Sequence, residues 1–420
     1  MDNIVRDMIV ISALPAHFGG GGGLHDLEVL KELNRKYDIE LVPSVTWNLV
    51  NALNNEEYKE KLLRIIDMHN FRLAEPVVTL LSQKHKEHYN LFYGVLLLKD
   101  LAKMFKGRMY KVVYSQSEFV TDLYLAAKIR GLKRGFLVQG LWFTKDFISD
   151  IKLELMTDYY KPWNPELWKR LFYRSIFRNT VYYLVKRRKF DFVLTVNPKQ
   201  TEWNGLNRIK NITVEVISPG NAYHRPLSIE PTTRKEQYFV YYGRLVPTKG
   251  LFLIPKIVKE VVKECKDFKL YIFGNFSNDS IKNKFLRKIK EFNLEENVKY
   301  LGFLSEEDKL KVIGKAKGFL FPSLVDTYSI SILESLSLMT AVITFKLHTL
   351  EWLYSGIDAV KLCDDLKCFV HNTVKIWRMN ETEYSALFDD KVKQFLLLHD
   401  DWRKVAESEI NLLSKFLLNT

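Results

Sequence analysis

Two acids, Asp326 and Glu334, are separated by seven intervening residues around the start of a helical pattern. The apolar run Phe319 to Phe321 ends in Pro322-Ser323, and a loop carrying Asp326 follows. Tyr328 to Met339 reads as a helix and Ala341 to Phe345 as a strand. Asp326 therefore lies at the positive end of the helix dipole, and Glu334 lies inside the helix. Free amides and the dipole suit a phosphate. Carboxylates accept hydrogen bonds from sugar hydroxyls. Together these groups can hold a molecule that carries both.

A second group of residues suits the same ligand. In QYFVYYGRLVPTKGLFLIPKIV a strand ends at Gly243, Arg244 follows, and Pro247-Thr248-Lys249-Gly250 leads into a helix. Two cations at the carboxyl end of a strand, beside a helix start, fit a diphosphate. From the residues alone, the same loop also reads as a solvated turn with two surface cations. Gly274 ends the strand Tyr271-Ile272-Phe273, and Gly302-Phe303 end another. Gly19 to Gly23 follow the first strand, where glycine permits close approach of backbone to a ligand. His17 beside this run is a candidate contact, though a structural histidine is the plainer reading.

The elements that must position these residues alternate. Strand-like runs are Met8–Ala13, Ile39–Pro43, Val77–Leu81, Tyr110–Tyr114, Gly135–Gln139, Phe192–Val196 and Thr213–Ile217. In the second half they are Tyr238–Tyr242, Lys269–Phe273, Val298–Leu301, Phe319–Phe321 and Ala341–Phe345. Helical patterns between them include Leu27–Lys36, Glu56–Met68, Leu91–Phe105, Phe252–Glu264, Ile281–Phe292 and Glu306–Ala316. This alternation predicts βαβ units and parallel sheets, and the nearly continuous apolar strands predict cover on both faces. The polar, proline-containing stretch 226–237 reads as a linker between domains 1–225 and 238–400, with a terminal helix over 401–420.

At 420 residues and 47% hydrophobic content, two ordinary domains with full cores are expected, and a disordered chain is excluded. Three cysteines, Cys265, Cys363 and Cys368, form no disulfide framework and no zinc spacing, which suggests a reducing compartment. No apolar run reaches a membrane span. The opening MDNIVRDMIVISALPA reads as a buried strand rather than a signal peptide, because Asp7 interrupts it.

The net charge is +13. Between Lys161 and Phe190 nine Lys/Arg face a single acid, Glu166, and eight aromatics interleave with them. Arg170, Arg174 and Arg178 share one helical face, and Phe172 and Ile176 share another. Such a segment suits an anionic membrane surface. Nucleic acid is the rival partner, but no nucleic-acid motif accompanies the charge and none is expected. Core aromatics with solvated cations are the plain alternative.

The stretch from Tyr238 to Phe345 resembles the retaining, nucleotide-sugar-dependent glycosyltransferases of group 1. They carry Gly-Arg…Lys-Gly after the first strand of the second domain and an acid-seven-acid signature later. Here the first acid is Asp326 rather than Glu, and Thr327-Tyr328-Ser329 replace the usual Gly-Phe-Gly. The resemblance implies an α/β fold of two Rossmann-like domains facing across a cleft (the GT-B architecture), with the C-terminal helix crossing back to the first domain. It implies catalytic roles for Arg244, Lys249, Asp326 and Glu334. Donor contacts are implied for Gly22, Gly23, Gly243, Gly274, Gly302, Phe303, Ser329 and Ile330, and for Gln139 where relatives carry a histidine. Glu351 is the one acid retained from the family's Gly-Gly-x-x-Glu loop. The implied reaction moves a sugar from a nucleotide diphosphate sugar to a hydroxyl acceptor with no metal or other cofactor. A cytoplasmic protein, peripheral on the membrane face and acting on a lipid-linked glycan, is the expectation. A degenerate binding protein and a sugar-nucleotide epimerase of the same fold stay open.

Overall fold

The computed structural model describes residues 6–14, 21–82, 91–140, 144–187, 189–210, 212–223 and 230–418. They form two compact units, each built on a six-stranded, wholly parallel sheet. The first unit comprises Met1–Lys145, Tyr173–Asn221 and Trp402–Thr420, and the second comprises Asp146–Phe172 and Ala222–Asp401. Asp146–Phe172, which the sequence reading put in the first domain, thus groups with the second.

The first sheet contains β1 (Arg6–Ser12), β2 (Ile39–Pro43), β3 (Met109–Ser115), β4 (Arg130–Val138), β5 (Phe192–Thr195) and β6 (Thr213–Val216), in the order β2-β1-β3-β4-β5-β6. The run Val77–Leu81, expected as a strand, is helical within Glu75–Ser82. Pro76 suits the first helical turn. Val77, Leu80 and Leu81 are buried while Val78 is 49% exposed, a spacing of three and four residues that fits a helix and not a strand. The terminal helix Trp402–Leu418 belongs to this unit and packs along the helix Gly21–Lys36. His25 Nε2 and Tyr114 Oη each meet the buried carboxylate of Glu409 at 2.8 Å.

The second sheet contains β7 (Glu236–Tyr242), β8 (Leu270–Phe273), β9 (Val298–Tyr300), β10 (Ala316–Phe321), β11 (Ala341–Phe345) and β12 (Val360–Cys363), in the order β12-β11-β10-β7-β8-β9. The edge strand β12 had no counterpart in the sequence reading. Every residue of β10 is buried, as a central strand covered by helices requires. Gly318 matters there, because a Cβ would stand 2.4 Å from the Phe239 ring of the neighbouring strand. The strand order reverses between β7 and β10. At such a switch point the loops leaving the two strands diverge and leave a crevice at their carboxyl ends.

No helix among the described residues is long and apolar enough to cross a membrane.

Candidate functional site

Most residues singled out in the second unit lie on the loops that leave β7, β8, β9 and β10; Glu334 lies in the helix Ile330–Ser337 and Glu351 in the helix His348–Tyr354 after β11. The loop after β7 turns at Gly243 (φ +114°), carries exposed Arg244, and runs through a single turn of tight helix at Pro247–Lys249. It closes at Gly250 (φ +76°), where a Cβ would stand 1.9 Å from the Pro322 carbonyl oxygen. Only glycine permits that approach. The Leu324 amide bonds the Thr248 carbonyl at 3.0 Å, which ties this loop to the one after β10.

This contact brings Lys249 to Asp326. Lys249 Nζ lies 2.5 Å from Asp326 Oδ2 and 3.3 Å from the Val325 carbonyl oxygen. Its ammonium also stands 5.5 Å from the Phe321 ring centroid. Asp326 is 9% exposed at its side chain, and its backbone carbonyl accepts a 2.6 Å bond from Thr349 Oγ1. Sequence reading missed Thr349, and nothing in its spacing announces the role.

Beyond Asp326 the chain enters the helix Ile330–Ser337 through Ser329, which sits in the left-handed region at φ +56°. Glycine favours that conformation. The serine therefore occupies, with some strain, a backbone shape suited to the last glycine of Gly-Phe-Gly. Ser329 makes no side-chain capping bond, so the first amides of the helix receive none from it. Tyr354 Oη supports the turn from beneath, donating to the Tyr328 and Ser329 carbonyls at 2.8 and 3.3 Å.

Glu334, one turn into this helix, pairs not with the Lys249 group but with Lys309 at 3.0 Å. Lys309 also meets Glu306 at 2.7 Å. Burial pushes the Glu334 carboxyl upward, and the Lys309 charge pulls it part of the way back. Lys309 is the second residue missed: its i,i+3 relation to Glu306 is visible in the sequence, but its reach to Glu334 is tertiary.

Gly274 (φ +125°) and Gly302 (φ +80°) stand beside Gly243. The Gly274 amide donates to the Gly302 carbonyl at 2.9 Å, and a Cβ on Gly274 would stand 2.0 Å from the Gly243 carbonyl oxygen. Three strand ends thus share one backbone junction. Phe303 follows it, 72% exposed. Glu351 stands apart from the Asp326 and Glu334 pairs and meets Lys346 at 3.1 Å.

In the first unit, Gly22 and Gly23 lie in the first turn of the helix Gly21–Lys36, which begins six residues earlier than expected. His17, Gly19 and Gly20 lie outside the described residues. Gln139 follows β4 and is held on two sides. Its amide Nε2 donates to Asp26 Oδ1, and its backbone N–H donates to Glu118 Oε2 at 2.8 Å. Glu118 also takes the Gly140 N–H at 2.9 Å. Burial pushes the Glu118 carboxyl up to about 7, and burial followed by the Glu409 charge pushes Asp26 well up.

The basic segment differs from its sequence reading. In the helix Pro165–Lys186, Arg174 and Arg178 are buried at 8% and 6% exposure. Phe172 and Ile176 are instead exposed, with Trp168, Tyr173 and Tyr183. Arg174 and Arg178 turn inward with the face Leu167, Leu171, Val181 and Val185, Arg170 stays part-exposed on Glu154, and Phe172 and Ile176 turn outward.

Comparison with known proteins bears on the family and the fold. Residues 228–350 match the family model for glycosyl transferases group 1. A Campylobacter jejuni enzyme, N-acetylgalactosamine-N,N'-diacetylbacillosaminyl-diphospho-undecaprenol 4-alpha-N-acetylgalactosaminyltransferase, is 31% identical over 116 residues. The match spans 28% of this chain and 30% of that enzyme. Sucrose-phosphate synthase from Thermosynechococcus elongatus superposes with a TM-score of 0.69 at 11% identity, over 99% of this chain and 100% of that one. Anabaena HepE in complex with UDP and glucose gives 0.65 at 11% identity, over 98% and 100%. A mutant of S. aureus TarM, in complex with Fondaparinux, alpha-GlcNAc-glycerol and UDP, gives 0.53 at 16% identity, over 72% of this chain but 55% of that one. This chain shares their fold, and has the expected α/β architecture of two parallel six-stranded sheets with flanking helices.

Proposed function

We propose that this chain transfers a sugar, with retention of anomeric configuration, from a nucleotide diphosphate sugar to a hydroxyl acceptor on a lipid-linked or membrane-associated glycan. The carrying observation is the Lys249–Asp326 pair at the switch point of the second sheet, beside an uncapped helix start and exposed Arg244.

The chemistry follows from those groups. When the bond between the anomeric carbon and the diphosphate breaks, negative charge grows on the departing oxygen. Arg244 and Lys249 stabilise that charge. Lys249 has three donors, so it can meet a phosphate oxygen while keeping Asp326. Asp326 and the amides at Ile330 hold sugar hydroxyls, and Glu334, fixed by Lys309, anchors the ribose or the sugar. The two cations and the helix dipole supply the neutralising charge, so the reading invokes no metal.

Two further facts support the acceptor class. The Campylobacter relative is named for a diphospho-undecaprenol acceptor. The exposed aromatics Trp163, Trp168 and Phe172 beside Lys161 and Lys169 suit the interface of an anionic membrane. The test is to incubate the protein with nucleotide sugars and lipid-linked acceptors, follow nucleotide release, and assign the anomeric configuration of the product by NMR. An inverted product contradicts retention. Transfer to water-soluble acceptors alone contradicts the lipid-linked class.

A further inference from the structure

The first unit holds a cavity of about 460 Å³ that involves none of the candidate donor-site residues. Its walls carry four cations, Lys145, Lys186, Arg208 and Lys210, together with Tyr182 and Gly205. All four cations are exposed. Among the described residues no carboxylate forms an ion pair with any of them. Elsewhere in the same unit, Lys31, Arg35, Lys61 and Lys103 each have an acid within reach.

The wall is built rather than incidental. Gly205 sits at φ +77°, and a Cβ there would stand 3.0 Å from Tyr182 Oη. The glycine therefore lets the turn close against the phenol, which donates to the Asn204 carbonyl. Lys186 lies 5.9 Å from the Tyr182 ring centroid. Asn204 is fully buried, and its Nδ2 has no partner among the described residues.

Four like charges converging on a concave surface without a counter-charge raise the local potential and favour a multiply charged anion. A lone carboxylate would leave most of that charge unmatched, whereas a phosphate offers several acceptor oxygens to lysine and arginine together. We infer that this cavity binds a phosphate group, with the headgroup of an anionic lipid as its source. The helix that supplies Tyr182 and Lys186 also exposes Tyr173, Ile176 and Tyr183 at 50%, 48% and 58%, and exposed Arg187 and Lys189 follow it. Apolar side chains beside cations on one helix suit a lipid interface. The site lies within the first unit and shares no residue with the donor groups of the second, so its test is separate from donor binding.

The test compares wild type with Arg208→Glu/Lys210→Glu and, on another part of the wall, Lys145→Glu. Two probes are used: phosphatidylcholine vesicles with and without phosphatidylglycerol, by sedimentation, and inorganic pyrophosphate, by calorimetry in a Lys249→Met background that disables the diphosphate site of the second unit. The substituted side chains are exposed, and unchanged melting confirms folding. The expected result is wild-type binding to the phosphatidylglycerol vesicles only, weakened about tenfold or more in the variants, with pyrophosphate binding weakened in parallel. Weakened pyrophosphate binding with unchanged vesicle binding overturns the lipid source and leaves a site for a soluble phosphate. Vesicle binding lost with pyrophosphate unchanged marks a diffuse surface charge and overturns the cavity. Neither probe affected overturns the whole inference.

Discussion

Lys249 Nζ stands 2.5 Å from Asp326 Oδ2, so the cation of the loop after β7 is joined to the acid of the loop after β10. These strands are neighbours in the sheet although 77 residues separate the pair. The pair gives both residues one task. Asp326 fixes where the ammonium points, and the ammonium gives a nearly buried carboxylate a charged hydrogen-bond donor.

Glu334 and Lys309 make the second pair, and its loss has a sign that can be read. Replacing Lys309 with Met leaves the largely buried Glu334 without its close cation. We expect roughly 2 kcal/mol of destabilisation, measured by denaturant unfolding, less than for a fully buried pair because the side chains keep 20% and 12% exposure. If ionised Glu334 is the form that binds donor, the acid limb of the pH–rate profile also moves to higher pH in Lys309→Met. Burial already pushes that carboxyl up, and the cation is what pulls it back. An unmoved limb would remove Glu334 from the donor-binding role.

Backbone shape separates two glycine-related positions. Ser329→Gly relieves a left-handed residue and should stabilise by up to about 1 kcal/mol, while Ser329→Val should destabilise. Gly274→Ala should cost at least about 2 kcal/mol, because its Cβ would stand 2.0 Å from the Gly243 carbonyl oxygen. Thermal or chemical unfolding of the three variants checks both directions at once.

Glu118 predicts a pH dependence in the first unit. Burial raises its carboxyl from the ordinary 4.5 to about 7. The folded state therefore holds the proton more tightly than the unfolded chain. Its contribution is fully present below about pH 4.5 and is lost as pH rises through about 7. Stability should fall across that window by an amount on the order of 3 kcal/mol, and Glu118→Gln should flatten the slope. A carbon-13 NMR titration of the Glu118 carboxyl near 4.5 would refute this.

Much of this was legible in the chain because parallel strands buried on both faces announce themselves as continuous apolar runs. The strands Tyr238–Tyr242 and Ala341–Phe345 were recognisable in this way, as was the acid spacing at Asp326 and Glu334. Val77–Leu81 misled because a short apolar run has no clear period until burial reveals which residues face inward. The edge strand Val360–Cys363 is only four residues long and half-buried, which leaves little pattern. Lys309, Thr349 and the inward turn of Arg174 and Arg178 depend on tertiary neighbours far along the sequence, and no local spacing encodes them.

The most direct test of the donor site is calorimetric titration of a panel of nucleotide diphosphate sugars into wild type, Lys249→Met and Arg244→Ala, with circular dichroism to confirm folding. We predict that one donor binds wild type, that Lys249→Met weakens it at least about tenfold, and that Arg244→Ala weakens it in the same direction. Equal affinity in all three proteins, or no binding of any donor to folded wild type, would contradict the donor site and favour a transferase fold kept for binding alone.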